Sequence, residues 1–182
     1  MMKESFNWST FVRKMYLNAP VAEVYQMWVN PKNITKFWLS DAEYDSEKKD
    51  DSEKFPEAGD NYIWKFYSGL VMRGKILEVL ENECFKFTFG NKYQGSEEEK
   101  VIVTIYFTEE TDNKTKIEII QENIGEDEYG QVHYYLSCQL GWSSALHNLK
   151  SVMENSFDLR EKDVQKAIET VGINDLTEYL DD

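Results

Sequence analysis

At 182 residues the chain is long enough to bury the core of one domain without disulfide or metal staples, and 41% hydrophobic with 14% aromatic content excludes wholesale disorder. Thirty-four acidic against twenty basic residues give a formal charge of -14, a field that repels nucleic acid and anionic lipid and sets both aside as partners. No run approaches the roughly 18 apolar residues that span a bilayer, and the start of the chain has no apolar run behind its lysine. Cys84 and Cys138 have neither metal-knuckle nor redox spacing, so a cytoplasmic protein with reduced thiols and no membrane insertion is expected.

In chain order, Thr10 to Leu17 alternates, with Phe11, Arg13, Met15 and Leu17 on one face, and predicts a first strand. Asn18-Ala19-Pro20 ends it. Proline suits a first helical turn, where its missing N–H costs nothing, and Val21, Val24, Tyr25 and Trp28 follow at helical spacing, predicting a helix from Pro20 to Val29. Asn30-Pro31 breaks this helix, and Ile34, Phe37 and Trp38 predict a second short one. A short strand near Ala42 to Tyr44 precedes a charged surface loop containing Glu47 to Lys54, which has no apolar periodicity.

Strands are predicted at Tyr62 to Tyr67, Leu70 to Leu80, Cys84 to Phe89, Val101 to Phe107 and Thr115 to Glu122, separated by turn signals and by an acidic loop from Gly90 to Glu99. Connections this short favour an antiparallel meander, because parallel neighbours need crossovers of a dozen residues or more. Glu126-Asp127-Glu128 places negative charge at a helix start, and Val132, Leu136, Leu140, Leu146, Leu149 and Met153 carry a long helix from Tyr129 to Met153. Gly141 inside it suggests a kink or a close approach to the sheet. Residues 157–182 read as a helical extension of a domain spanning 1–156, with an apolar stripe of Val164, Ile168 and Val171 and capping-box spacing at Asp158 with Glu161 and Asp175 with Glu178. That stripe is expected to dock on the parent domain or on a second copy of the chain.

The order of strand, two short helices, meander and long helix resembles the helix-grip fold, an α+β arrangement in which a curved antiparallel sheet holds a long C-terminal helix. Ala19-Pro20-Val21-Ala22-Glu23-Val24-Tyr25, with Asn30-Pro31 and Phe37-Trp38, looks like the opening of the activator of Hsp-90 ATPase homologue-like family of the START/Bet v-like superfamily. Gly59, Tyr62 and Trp64, then Gly69, Arg73-Gly74-Lys75-Ile76-Leu77-Glu78-Val79 and Phe85 through Phe89 resemble its central hairpin, and Gly141-Trp142 with Leu146 and Leu149 its last helix. The resemblance covers about residues 10 to 154. It implies a cavity between sheet and helix.

Chemistry-bearing motifs are sparse. His133 and His147 lie about 21 Å apart along one helix at 1.5 Å per residue and cannot share a metal, and no H-E-x-x-H, nucleophile elbow, P-loop or G-x-G-x-x-G is present. No metal or cofactor is expected. The informative feature is aromatic: Tyr62, Trp64 and Phe66 share one strand face, Phe85, Phe87 and Phe89 another, and both should meet Tyr134, Cys138 and Trp142 on the helix. A large core and a ligand cavity are both consistent with that pattern. The candidate ligand-binding set is Trp64, Phe66, Met72, Phe87 and Phe89 from the sheet and Tyr134, Cys138 and Trp142 from the helix, with Arg73 added if its side chain points inward to meet a polar ligand group or an acid such as Glu118.

The leading functional expectation is a non-enzymatic binding module for a small apolar or amphipathic molecule. A polyketide cyclase or dehydratase-like enzyme would use the same cavity with an inward acid–base pair. A protein-interaction module acting on a chaperone ATPase, or a homodimer formed through the C-terminal extension, would instead use the surface.

Overall fold

The computed structural model describes residues 6–45, 55–89, 101–124, 128–162 and 166. The expectations for Glu47 to Lys54, for Gly90 to Glu99, for the acids Glu126 and Asp127, for the stripe of Val164, Ile168 and Val171 and for Asp175 with Glu178 lie outside them.

Strand β1 (Phe11–Leu17) leads through helices α1 (Val21–Val29) and α2 (Pro31–Ile34) into strands β2 (Asp41–Tyr44), β3 (Asn61–Lys65), β4 (Val71–Leu80), β5 (Cys84–Thr88), β6 (Ile102–Thr111) and β7 (Lys114–Glu122), and then helix α3 (Glu128–Asn155). The strands form one antiparallel, curved, open sheet in the order β1-β7-β6-β5-β4-β3-β2. With α3 held against its inner face, this is the α+β helix-grip fold. On β7 the inward residues Thr115, Ile117, Ile119 and Gln121 are all fully buried, while Glu118 faces out and pairs with Lys14 of β1 at 2.7 Å. Arg13, half-buried on the inner face of β1, donates to Gln139 of α3, and Phe11 meets Tyr135 edge-on at 5.2 Å.

The second helix is shorter than its apolar spacing suggested. Asn30 closes α1 through its backbone N–H to Gln26, and its side-chain oxygen accepts the amide of Lys32 at 2.9 Å to start α2. After one turn the amides of Trp38 and Leu39 both bond back to Ile34, so Phe37 and Trp38 lie in the turn that follows. Trp38 is thereby turned toward the sheet.

Strand β4 serves two neighbours with different halves. Val71 to Lys75 pairs with β3, whereas Ile76 to Leu80 pairs with β5, with a register shift between Ile76 and Glu78. Above the shift the ladder between β4 and β5 gives way to side chains: the Lys75 amide donates to Thr88 Oγ1 at 2.9 Å, and the buried Tyr62 hydroxyl donates to the Thr88 carbonyl at 2.6 Å. Such a shift bends a sheet locally. The strands part beside Met72 and Phe89.

Past α3, Ser156 adopts φ +55° and the chain turns back along the helix. The Leu159 amide donates to Asn148 Oδ1 at 2.7 Å, and Asn148 Nδ2 donates to the Phe37 carbonyl at 2.6 Å and to Asp158 at 2.9 Å. Arg160 donates to the carbonyls of Leu39 and Thr35, each at 2.9 Å, holds Asp158 in a two-nitrogen fork, and lies over the Tyr67 ring. Residues 156–162 are therefore an extended strap. Asp158, expected to head a helix with Glu161, is instead committed to Arg160 and Asn148.

Candidate functional site

Where the strands part, the sheet and α3 enclose a cavity of about 220 Å³. Phe66, Met72 and Phe89 line it from the sheet, Tyr134, Cys138 and Trp142 from the helix, and Trp38 closes one wall. Leu70, Ser137 and Gly141, all exposed, form its mouth.

Trp38 organises the aromatic walls. Its ring stands 4.8 Å from Trp142, 5.3 Å from Trp64, 5.7 Å from Phe66 and 6.4 Å from Phe89, the last nearly parallel. Trp142 is fixed independently, because its indole N–H donates to the buried side chain of Gln121 at 2.6 Å. Rigid, interlocked rings can hold a cavity open where flexible aliphatic chains would collapse into it.

The polar groups at the cavity are few and uncharged. Tyr134 donates its hydroxyl to the Phe89 carbonyl at 3.3 Å, and burial holds its phenol far above the ordinary range. Burial likewise pushes the Cys138 thiol up, opposed in part by hydrogen bonds from Gln121 and Tyr134. Both groups stay protonated at neutral pH, so Cys138 is a packing thiol rather than a nucleophile. Among the described residues the lining carries no charged side chain, and no group of three or more His, Cys, Asp and Glu could hold a metal ion. His133 and His147 are exposed on the outer side of α3.

The structure divides the candidate set by depth. Phe66, Met72, Phe89, Tyr134, Cys138 and Trp142 reach the cavity. Trp64 and Phe87 are fully buried behind it, with Trp64 stacked on Tyr62 at 3.9 Å and meeting Phe87 at 4.8 Å. Arg73 belongs to the other face of β4, where it is exposed while its neighbours Met72 and Ile76 point inward. Glu118, its suggested partner, is paired with Lys14 on the outer surface. The conjecture of an inward arginine is thus corrected by simple alternation.

Sequence reading missed Trp38, Leu70 and Ser137 as lining residues. Trp38 bore the spacing of a helix-anchoring core residue, and only the early end of α2 sends it to the cavity. Leu70 sits in the β3–β4 turn, closed by Phe66 N–H to Leu70 carbonyl at 2.9 Å and Gly69 N–H to Phe66 carbonyl at 3.0 Å, where no strand periodicity applies. Of the two expectations for Gly141, the close approach to the sheet is corrected: a Cβ there would meet nothing within 4 Å, so the glycine faces open space.

Comparison with known proteins places this geometry in context. The model of the family described as Activator of Hsp90 ATPase homolog 1-like protein matches residues 18–154. No curated protein sequence matches the chain. Among solved structures, the protein SSP2350 from Staphylococcus saprophyticus is similar at 22% identity and a TM-score of 0.64, over 83% of this chain and 96% of that one. The Aha1 dimer from Colwellia psychrerythraea is similar at 15% identity and a TM-score of 0.63, over 80% of this chain and 96% of the other. An Hsp90 activator from Plasmodium falciparum is similar at 17% identity and a TM-score of 0.61, again over 80% and 96%. At these identities the likeness is one of fold.

Proposed function

The chain belongs to the Activator of Hsp90 ATPase homolog 1-like family, and from that premise we propose that it is a binding module for a small, uncharged, largely apolar molecule held between sheet and helix. The observation that supports this reading is the open aromatic cavity with no ionic group on its described lining. A cavity of about 220 Å³ has room for a molecule of one or two rings, since an engineered apolar void of about 150 Å³ accepts benzene. Ser137 Oγ at the mouth offers the ligand one hydrogen bond, while Trp38 and Trp142 offer flat apolar faces. A carboxylate or phosphate would find no cation among the described lining residues, and its desolvation would go uncompensated.

A neutral fluorophore such as N-phenyl-1-naphthylamine tests the reading. The protein should enhance its emission saturably, and Gly141→Met, which fills the mouth, should weaken binding at least tenfold while leaving the thermal midpoint within a few degrees. Absence of saturable binding by the unaltered protein, or undiminished binding by Gly141→Met, overturns it.

A second reading, regulation of an Hsp90-type ATPase through the protein surface, is favoured by the likeness to the Plasmodium falciparum activator and by the formal charge of -14, which suits a basic partner face. It requires stimulation of a purified Hsp90-type ATPase that fades with added salt. No change in turnover at saturating protein would dismiss it.

A further inference from the structure

Residues 35–39 turn the chain from α2 toward β2 and carry Trp38, the ring that closes one wall of the cavity. Within this turn the amides of Trp38 and Leu39 bond to the Ile34 carbonyl at 3.0 and 3.2 Å. Three of its carbonyls are held from the C-terminal part of the chain. Asn148 of α3 donates to the Phe37 carbonyl at 2.6 Å in a buried bond, and Arg160 of the strap donates to those of Thr35 and Leu39 through two different nitrogens. Asn148 in turn accepts the Leu159 amide, so helix, strap and turn share one network.

Arg160 also reaches a second turn at the cavity. Its guanidinium lies over Tyr67, 5.1 Å from the ring centre, in the β3–β4 turn whose Phe66 and Leu70 are lining residues. Every nitrogen of the group is committed: Nε and Nη2 to Asp158, Nη1 to the Leu39 carbonyl, and Nη2 again to that of Thr35. Only a planar fork satisfies these partners while presenting a flat face to an aromatic ring.

We propose that Arg160 is a positioning residue for the cavity, which by tying the Trp38 turn to the Tyr67 turn fixes the aromatic walls against which the ligand packs. This rests on the binding reading above and assigns a role in it to the strap, which follows the family-matched residues 18–154. Arg160 is absent from the lining, so its effect on binding travels through the two turns. Walls held in advance need no ordering when a ligand enters, and loosening the shell behind them loses affinity without removing a contact.

Fluorine NMR of protein labelled with 5-fluorotryptophan tests the clamp without a ligand, the Trp38 signal being assigned through Trp38→Phe. Arg160→Met, which keeps most of the side-chain length and loses its nitrogens, should shift or broaden the Trp38 signal. It should leave in place that of Trp8, which meets Tyr135 edge-on at 5.1 Å away from both turns. Arg160→Lys keeps the charge but lacks the fork, and should give the same change. Both variants should weaken binding of N-phenyl-1-naphthylamine severalfold. An unmoved Trp38 signal in either variant, or a moved signal with undiminished fluorophore binding, overturns the proposal. Displacement of Trp8 as large as that of Trp38 in both variants, the mark of a general loosening, overturns it too. An unaltered protein that binds no fluorophore overturns the binding reading instead, while the fluorine signals decide the clamp separately.

Discussion

Gly74 and Gly141 show how one residue type can answer opposite demands. A Cβ at Gly74 would come within 2.6 Å of Thr88 Oγ1 and 2.7 Å of the buried Tyr62 ring, which lies across it from β3. Gly74→Ala must therefore displace the groups that bridge the parted strands, and should destabilise by about 1 to 3 kcal/mol in urea unfolding. Gly141 has only open space before it, so Gly141→Ala should raise stability by up to about 1 kcal/mol through helix propensity. Phe87 and Phe89 make a second such pair. Phe87, fully buried behind the cavity, should cost about 3 to 5 kcal/mol on truncation to alanine. Phe89 borders space that is already empty, and Phe89→Ala should cost measurably less while altering fluorophore binding. Alternation along β5 made the inward face of both phenylalanines legible. Their depth depends on where β4 and β5 part, a register shift that no periodicity encodes.

Among the elements, the strap repays the closest attention because ion pairing holds it. The Arg160 side chain, bonded to the Asp158 carboxylate, is the main cause that holds this acid far below the usual carboxylate range; partial burial works against it, and the Arg160 amide, Asn148 and Lys162 assist. Its folded value is depressed relative to an unfolded value of about 3.9, so the stabilisation is fully present above that pH and is lost as pH falls toward the folded value. Exchange of the Leu159 amide, which donates to Asn148, should accordingly quicken relative to core amides as pH falls below about 4. Asp158→Asn should bring faster exchange at neutral pH, by about tenfold, and remove that acid dependence; equal exchange in both proteins would show that the strap is held without the carboxylate. The sequence pattern pointed elsewhere, since Asp158 with Glu161 has the spacing of a capping box. What diverts Asp158 is Arg160 two residues on and Asn148 ten residues back, and only the fold brings Asn148 near. By contrast, α1 and the strands other than β6 were legible to within two residues at either end, because their apolar periods and the Asn30-Pro31 break are local signals, whereas β6 runs on to Thr111, four residues past Phe107, through threonines and glutamates that carry no apolar period.

At the scale of the molecule, short connections made the meander from β3 to β7 readable as neighbours in sequence and in space, whereas no local signal named β7 as the partner of β1. Across the β1–β7 ladder Phe11 faces Gln121, so the two ends of the sheet's chain must meet before α3 has a floor: Arg13 and Phe11 of β1 receive Gln139 and Tyr135 of the helix. Such pairing carries a large loop-closure cost and belongs late in folding, after the sequential hairpins. The cavity, which needs both the meander and a seated α3, is then completed after the rate-limiting step. A bound fluorophore should therefore slow unfolding in proportion to its saturation and leave the refolding rate unchanged, as stopped-flow measurements in urea would show; faster refolding would place the cavity within the nucleus. During synthesis the same separation becomes a waiting time. At about 5–20 residues per second, β1 emerges roughly 5–20 s before the strand that must pair with it, and for that interval its two backbone edges are open to whatever else can add a strand.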